Sequence, residues 1–122
     1  MSRRRTRTLW VFAVGGVGFL SAACGGGDSE PLPPIDESYA PAVLQLGGEV
    51  YGDTCSVCHG RRGEGGIGPA LVRIAENMTY DAHLAVVMDG AGEMPAFSGT
   101  LTVEEIEAVV AYERVGLRSL GQ

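Results

Sequence analysis

Apolar residues fall into one unbroken run and three periodic stretches. The run occupies residues 9–24, sixteen positions without a charge. The first periodic stretch covers residues 41–55. Pro41 stands where a helix start tolerates its missing N–H, and Leu44, Gly47, Gly48 and Tyr51 recur at three- and four-residue spacing. The second covers residues 80–89, with Tyr80, Leu84, Val87 and Met88 on one face and Gly90 following as a C-cap. The third opens on Thr102-Val-Glu-Glu105, a capping box. Ile106, Val109, Val110 and Tyr112 form its buried side, and Gly116 lies near its end. The pattern also admits a short helix around residues 69–75. Glycine-rich segments at 60–68 and 90–99 join these elements, and nothing alternates as a strand. The expected fold is all-α, with three to four helices.

The unbroken run changes the picture of the N-terminus. Arg3, Arg4, Arg5 and Arg7 precede it, small residues close it, and Gly25-Gly26-Gly27 follows. A bilayer-spanning helix needs about 20 apolar residues. A basic start, a shorter apolar core and a small-residue exit read instead as a secretory signal, residues 1–23. Leu20-Ser-Ala-Ala-Cys24 resembles a bacterial lipobox, with Ser21 where that pattern has leucine. Ser21-Ala22-Ala23 also suits ordinary signal cleavage at the same bond. The chain has three cysteines. Two belong to the motif described below, so Cys24 is left as a free thiol in an exported protein unless it carries lipid. Residues 24–38, rich in glycine, proline and acids, read as a flexible linker that extends to at most ~50 Å. The expected location is the periplasmic side of a bacterial membrane, with Cys24 as the lipid anchor.

Charge removes one class of function. The chain has no lysine, and from Asp28 onward fifteen acids face five arginines, a formal charge of −10. A nucleic-acid binder must neutralise phosphates with basic side chains, so that class is excluded. The acidity suits steering towards basic docking surfaces. It equally suits plain solubility.

The remaining ~85 residues, so rich in glycine, build only a thin core, and something else must fill the interior. Cys55-Ser-Val-Cys58-His59 is a C-x-x-C-H motif. Two thiols on one helical turn can each add across a vinyl group of haem, and the histidine that follows is placed to ligate iron. Zinc would want four ligands, and the only other histidine is His83. A thioredoxin-like dithiol would want a βαβ setting. A structural disulfide would leave the trailing histidine without a purpose.

The surrounding blocks extend the pattern: Gly47, Tyr51 and the C-x-x-C-H, then Gly66-Ile-Gly-Pro69-Ala-Leu71, then Gly92-Glu-Met-Pro-Ala-Phe97, then residues 101–112. Together, over residues 40–117, they resemble a class I c-type cytochrome of the small bacterial kind. The resemblance implies a cytochrome c fold over residues 39–122, wrapped around one covalent haem c. It implies a close helix crossing at Gly47, with Tyr51 packed against the Tyr112 region. It also implies that the carbonyl of Pro69 accepts the second ring N–H of His59, fixing the tautomer and raising ligand basicity. Met94, in a glycine-rich loop and restricted by Pro95, is the implied sixth iron ligand. Met88 falls on the apolar helix face, and nothing around Met78 resembles a ligand segment. His83, at the border of its helix face, reads as a surface residue. Arg61, Arg62 and Arg73 could each meet a haem propionate.

Such a protein is expected to be an electron carrier, cycling Fe(III) and Fe(II) between a redox donor and an acceptor. A dehydrogenase, a cytochrome complex or a terminal oxidase would each suit these roles. A tethered haem subunit of a larger complex is the second reading. An enzyme or gas sensor with an open iron site is the third, and the Met94 loop argues against it.

Overall fold

The computed structural model describes residues 36–120. The expected signal segment, Cys24 and most of the expected linker lie outside the described residues. Helix α1 (Pro41–Val50) continues without a break through a π-helical turn, π1 (Tyr51–Cys55), into α2 (Ser56–His59). Gly60, at φ 83°, then turns the chain away in the left-handed region that glycine adopts at no steric cost. The first helix thus carries the whole C-x-x-C-H and ends at His59, beyond the residue-55 end that periodicity suggests.

After α3 (Ile74–Asn77) comes α4 (Tyr80–Asp89), whose first turn is capped by Thr79 Oγ1 accepting from the Ala82 N–H at 3.3 Å. Helix α5 (Val103–Ala111) begins with both halves of the capping box: Glu105 N–H donates to Thr102 Oγ1 at 3.2 Å, and Thr102 N–H to the Glu105 carboxylate at 2.8 Å. It continues through a second π-helical turn, π2 (Tyr112–Gly116), into α6 (Leu117–Leu120). Among the described residues the only β-type pairing is a single bridge, Ala91 with Met94.

One expectation is corrected. The short helix lies at Ile74–Asn77 rather than 69–75. The Pro69 carbonyl and the Leu71 N–H are already bonded to His59 and to the Gly63 carbonyl, so the chain cannot coil until Ile74. Gly116 lies near the end of the last helix, where a Cβ would meet the ring of Tyr112.

The core forms where α1 crosses α5. A Cβ on Gly47 would fall on the carbonyl of Ala108 and 2.7 Å from the Cβ of Tyr112. The rings of Tyr51 and Tyr112 stand 5.6 Å apart at 46°, a tilted pair of the kind that stabilises beyond its buried area. Ile106, Val109, Val110 and Leu117 complete the buried layer.

Two buried arginines bind outlying segments to the last helix. Arg114 donates through Nε to the Glu37 carboxylate at 2.7 Å and through Nη1 to the Met78 carbonyl at 2.9 Å. Arg118 reaches Glu76 on α3 at 2.8 Å.

Candidate haem site

The helices enclose a cavity of about 530 Å³, within the ~300–1,000 Å³ of small-molecule and cofactor sites. Cys55, Cys58, His59, Pro69 and Met94 all line it. Residues nearly forty apart in sequence thus come together around one space. Its walls are mostly apolar, from Leu71 and Ile74 on one stretch of chain to Val87 and Phe97 on another. Val57 and Ile67 also line it while 76% and 85% exposed, so the cavity opens to solvent beside them.

The helical path to residue 59 places Cys55 and Cys58 three residues, about one turn, apart, both as free thiols. Burial, aided by the Glu113 carboxylate, pushes the Cys55 thiol up to about 12. In the bare polypeptide it therefore stays protonated at neutral pH and is a poor partner for a disulfide with Cys58.

His59 is held from three sides. Its Nδ1 lies 2.8 Å from the Pro69 carbonyl, which fixes Nδ1 as the donor and leaves Nε2 as the free ligand atom. Gly68 lies flat against the ring. The loop between is tied by Gly65 N–H to the His59 carbonyl and Gly68 N–H to the Cys58 carbonyl, both at 2.8 Å. Tyr51 Oη donates to the Gly60 carbonyl at 2.6 Å, anchoring the end of the motif to the helix crossing.

Met94 is delivered by a tight turn. Ala91 N–H bonds the Met94 carbonyl at 3.1 Å, Met94 N–H bonds that of Ala91 at 3.0 Å, and Gly92 at φ 60° makes the bend. Beyond Pro95 the loop is tied to α4 by Phe97 N–H to the Val87 carbonyl and Ser98 N–H to that of Met88. Met78 lines the same cavity. Met88 is half-buried against the core, in keeping with a packing role.

Three features escape sequence reasoning. His83 is not at the surface: it is 3% exposed, lines the cavity, and its Nε2 lies 2.8 Å from Glu113 Oε2. The apolar face of α4 is rotated so that His83 and Val87 form its buried stripe, which a carboxylate from π2 makes tolerable for an imidazole. The partner lies thirty residues away, so no local pattern could signal it. The contact of Gly68 with His59 is the second. The Glu37–Arg114 pair is the third. Of the arginines considered for propionates, Arg62 donates to the Leu120 carbonyl at 2.8 Å and Arg73 to Glu76 at 2.7 Å. Arg61 is exposed.

The residues fit a haem. Two thiols one turn apart, a tautomer-fixed imidazole and a thioether share one apolar cavity, and the small core needs that volume filled. The fold and the site define a helical haem-binding domain for electron transfer. A family model described as cytochrome C oxidase, cbb3-type, subunit III matches residues 42–112, and the chain belongs to that family of class I c-type cytochromes. It is 35% identical to cytochrome c-551 of Bacillus subtilis over 78 residues, 62% of this chain and 68% of that protein. It is 33% identical over 114 residues to quinohemoprotein alcohol dehydrogenase ADH IIB of Pseudomonas putida, covering 90% of this chain but 16% of that protein. Among solved structures, cytochrome cL of Hyphomicrobium denitrificans superposes with a TM-score of 0.54 at 31% identity, over 59% of this chain and 46% of that one. The chain thus spans a small part of the dehydrogenase and about half of cytochrome cL. Its function is electron transfer through one covalently bound haem c.

Proposed function

We propose that Cys55 and Cys58 carry the haem, that His59 and Met94 ligate its iron, and that the domain shuttles electrons between exported redox proteins. The haem supplies a one-electron Fe(III)/Fe(II) couple. The observation that carries the residue assignment is the single cavity lined by all four side chains. His59, donating from Nδ1 to Pro69, presents a basic Nε2. Met94 stands in a loop bonded across its own turn and to α4, and its side chain lines the cavity, which supports its role as a ligand. A thioether ligand favours Fe(II) and raises the potential relative to a second histidine. The exposed Val57 and Ile67 give a partner an apolar rim to dock on, and the formal charge of −10 beyond the signal favours partners with basic surfaces.

The likeness to one domain of an alcohol dehydrogenase and to cytochrome cL supports a dehydrogenase as donor. The family description supports a terminal oxidase as acceptor. We place the domain on the periplasmic side, behind a signal peptide (residues 1–23), with lipid on Cys24 and residues 24–38 as the tether.

The test is expression in a host with haem-attachment machinery. The polypeptide should stain for haem on a denaturing gel, and Cys55→Ala or Cys58→Ala should sharply reduce that stain. Met94→Ala should lower the potential, open the iron to carbon monoxide, and abolish the far-red charge-transfer band of Met-ligated ferric haem. If the band persists in Met94→Ala and disappears in Met78→Ala, the ligand is Met78.

A further inference from the structure

The wall of the cavity contains an ionisable pair that neither haem attachment nor iron ligation uses. His83 and Glu113 are each 3% exposed, and their facing atoms are 2.8 Å apart. Burying two such groups costs several kcal/mol per charge unless they are paired and hydrogen-bonded. Val87, one turn further along α4, packs instead as an ordinary apolar residue of the core. His83 Nδ1 is buried with no partner among the described residues. Glu113 does have a second donor in the bare polypeptide, the thiol of Cys55. A thioether has no S–H, so attachment of haem at Cys55 removes that donor and leaves His83 as its side-chain partner.

The charges around the pair are otherwise matched. From the N-terminal segment Glu37 comes near enough to feel the charge of His83, but it is paired with Arg114 of π2. From π1, Tyr51 and Cys55 face Glu113. Burial and that carboxylate push both upward, so neither ionises near neutrality. From α4 and π2 themselves, Tyr80 has its ring 6.0 Å from the Arg114 guanidinium. His83 and Glu113 face each other, 2.8 Å apart, inside this frame of partnered charges. Glu113 touches the cysteine that takes the vinyl edge of the haem.

We propose that His83 and Glu113 form a redox-linked proton site, which binds a proton when the haem is reduced and releases it on oxidation. The proposal rests on attachment of haem at Cys55. One electron arrives from the redox partner and one proton from water, and no other bond is made or broken. Reduction removes one positive charge from the cavity. In surroundings far less polarisable than water, that loss favours the more protonated form of a pair in the cavity wall. The carrier then delivers hydrogen equivalents rather than bare electrons over the pH range in which the pair titrates.

The test is the midpoint potential of the full-length holoprotein from about pH 5 to pH 9. The wild type should show a segment sloping by up to about 59 mV per pH unit, a tenfold change in the reduction equilibrium for each unit. Glu113→Gln and His83→Gln, once shown to stain for haem, should be flat across that segment. Proton NMR of His83 in the reduced and oxidised wild type should give two different titration midpoints. A flat wild-type profile with haem attached overturns the proposal, as does a slope that survives in both variants, which would assign the proton to a propionate. If the variants do not fold, equal His83 midpoints in the two redox states of the wild type overturn it. A wild type that carries no haem fails at the stain, before any potential is measured, and overturns the cytochrome assignment itself.

Discussion

Gly68 lies so close to His59 that a Cβ at that position would stand 2.7 Å from Cε1 and 2.9 Å from Nδ1 of the imidazole. The ring is therefore held between a glycine that cannot be enlarged and a carbonyl, that of Pro69, at 2.8 Å.

Gly68→Ala should tilt the ring and stretch its bond to Pro69. Losing such a partner typically weakens metal binding about 10–100-fold. A less basic imidazole also holds Fe(III) less well, so the midpoint potential should rise. Potentiometric titration, together with displacement of His59 by added imidazole, reads both effects. A variant with wild-type values on both would show that the ring has room to move aside.

Gly47→Ala should destabilise the holoprotein despite removing a glycine from a helix. Alanine gains about 1 kcal/mol of helix propensity over glycine. Forcing a methyl group into a tight backbone crossing costs up to about 3 kcal/mol, and here it falls on the Ala108 carbonyl. The clash wins, with a net loss of about 2 kcal/mol. Guanidinium unfolding curves of the two holoproteins would measure it.

How much of this arrangement could be read from sequence varies along the chain. The capping box at Thr102 could be read because it is written in a local pattern, and the crossing at Gly47 through the family resemblance. The cavity-lining set could be read too, since C-x-x-C-H and Met94-Pro95 are short motifs with their own chemistry. The π-helical turns at Tyr51 and Tyr112 could not, because one extra residue per turn breaks the very periodicity used to find helices. His83 looked like a surface residue because its neighbours Ala82 and Leu84 do not reveal a carboxylate thirty residues on. Glu37 looked like part of a linker for the same reason: its partner Arg114 lies at the other end of the domain.

The Glu37 pair gives a pH dependence with a definite sign. The hydrogen bonds from Arg114, above all, hold the Glu37 carboxyl below its ordinary value of 4.5. A carboxyl depressed on folding contributes stability that is present above 4.5 and lost as the pH falls through the lower, folded value. Glu37→Gln leaves the buried Arg114 guanidinium without its counter-charge. Glu37 itself is only partly buried, so the loss should be about 2 kcal/mol at neutral pH, below the 3–5 kcal/mol of a fully buried pair. The difference between the two proteins should narrow below about pH 4.5. Thermal unfolding at pH 7 and pH 3.5 would check it, and a gap that stays constant would remove Glu37 from the account.

Membrane attachment is tested independently of the haem. If Cys24 carries lipid, the protein should remain with membranes through a high-salt wash. Acyl burial, at about 0.8 kcal/mol per CH₂, is not screened by salt. Cys24→Ser should release the protein or leave an uncleaved precursor. Wild-type protein found wholly in the soluble periplasmic fraction would refute lipidation and leave the cytochrome intact.

The two π-helical turns have a consequence for how the domain tolerates changes in length. Successive residues of an α-helix are rotated by about 100°, and a π-helical turn holds one residue more than an α-helical one. Along the first helix, Gly47 and Tyr51 face the last helix, whereas Cys55 and His59 face the cavity. The wider turn of π1 takes up the rotation of its extra residue, so Cys55 and His59 keep a bearing that a regular α-helix of the same length would turn by up to about 100°. Gly52 is exposed, and a side chain there would meet nothing within 4 Å, so substitution at this position is unconstrained. Deletion is another matter. It would let π1 close as a regular α-helix, because the wider turn had already absorbed that residue's rotation, so the thiols and the imidazole would keep their bearing on the cavity but be drawn about 1.5 Å along the axis towards the crossing at Gly47.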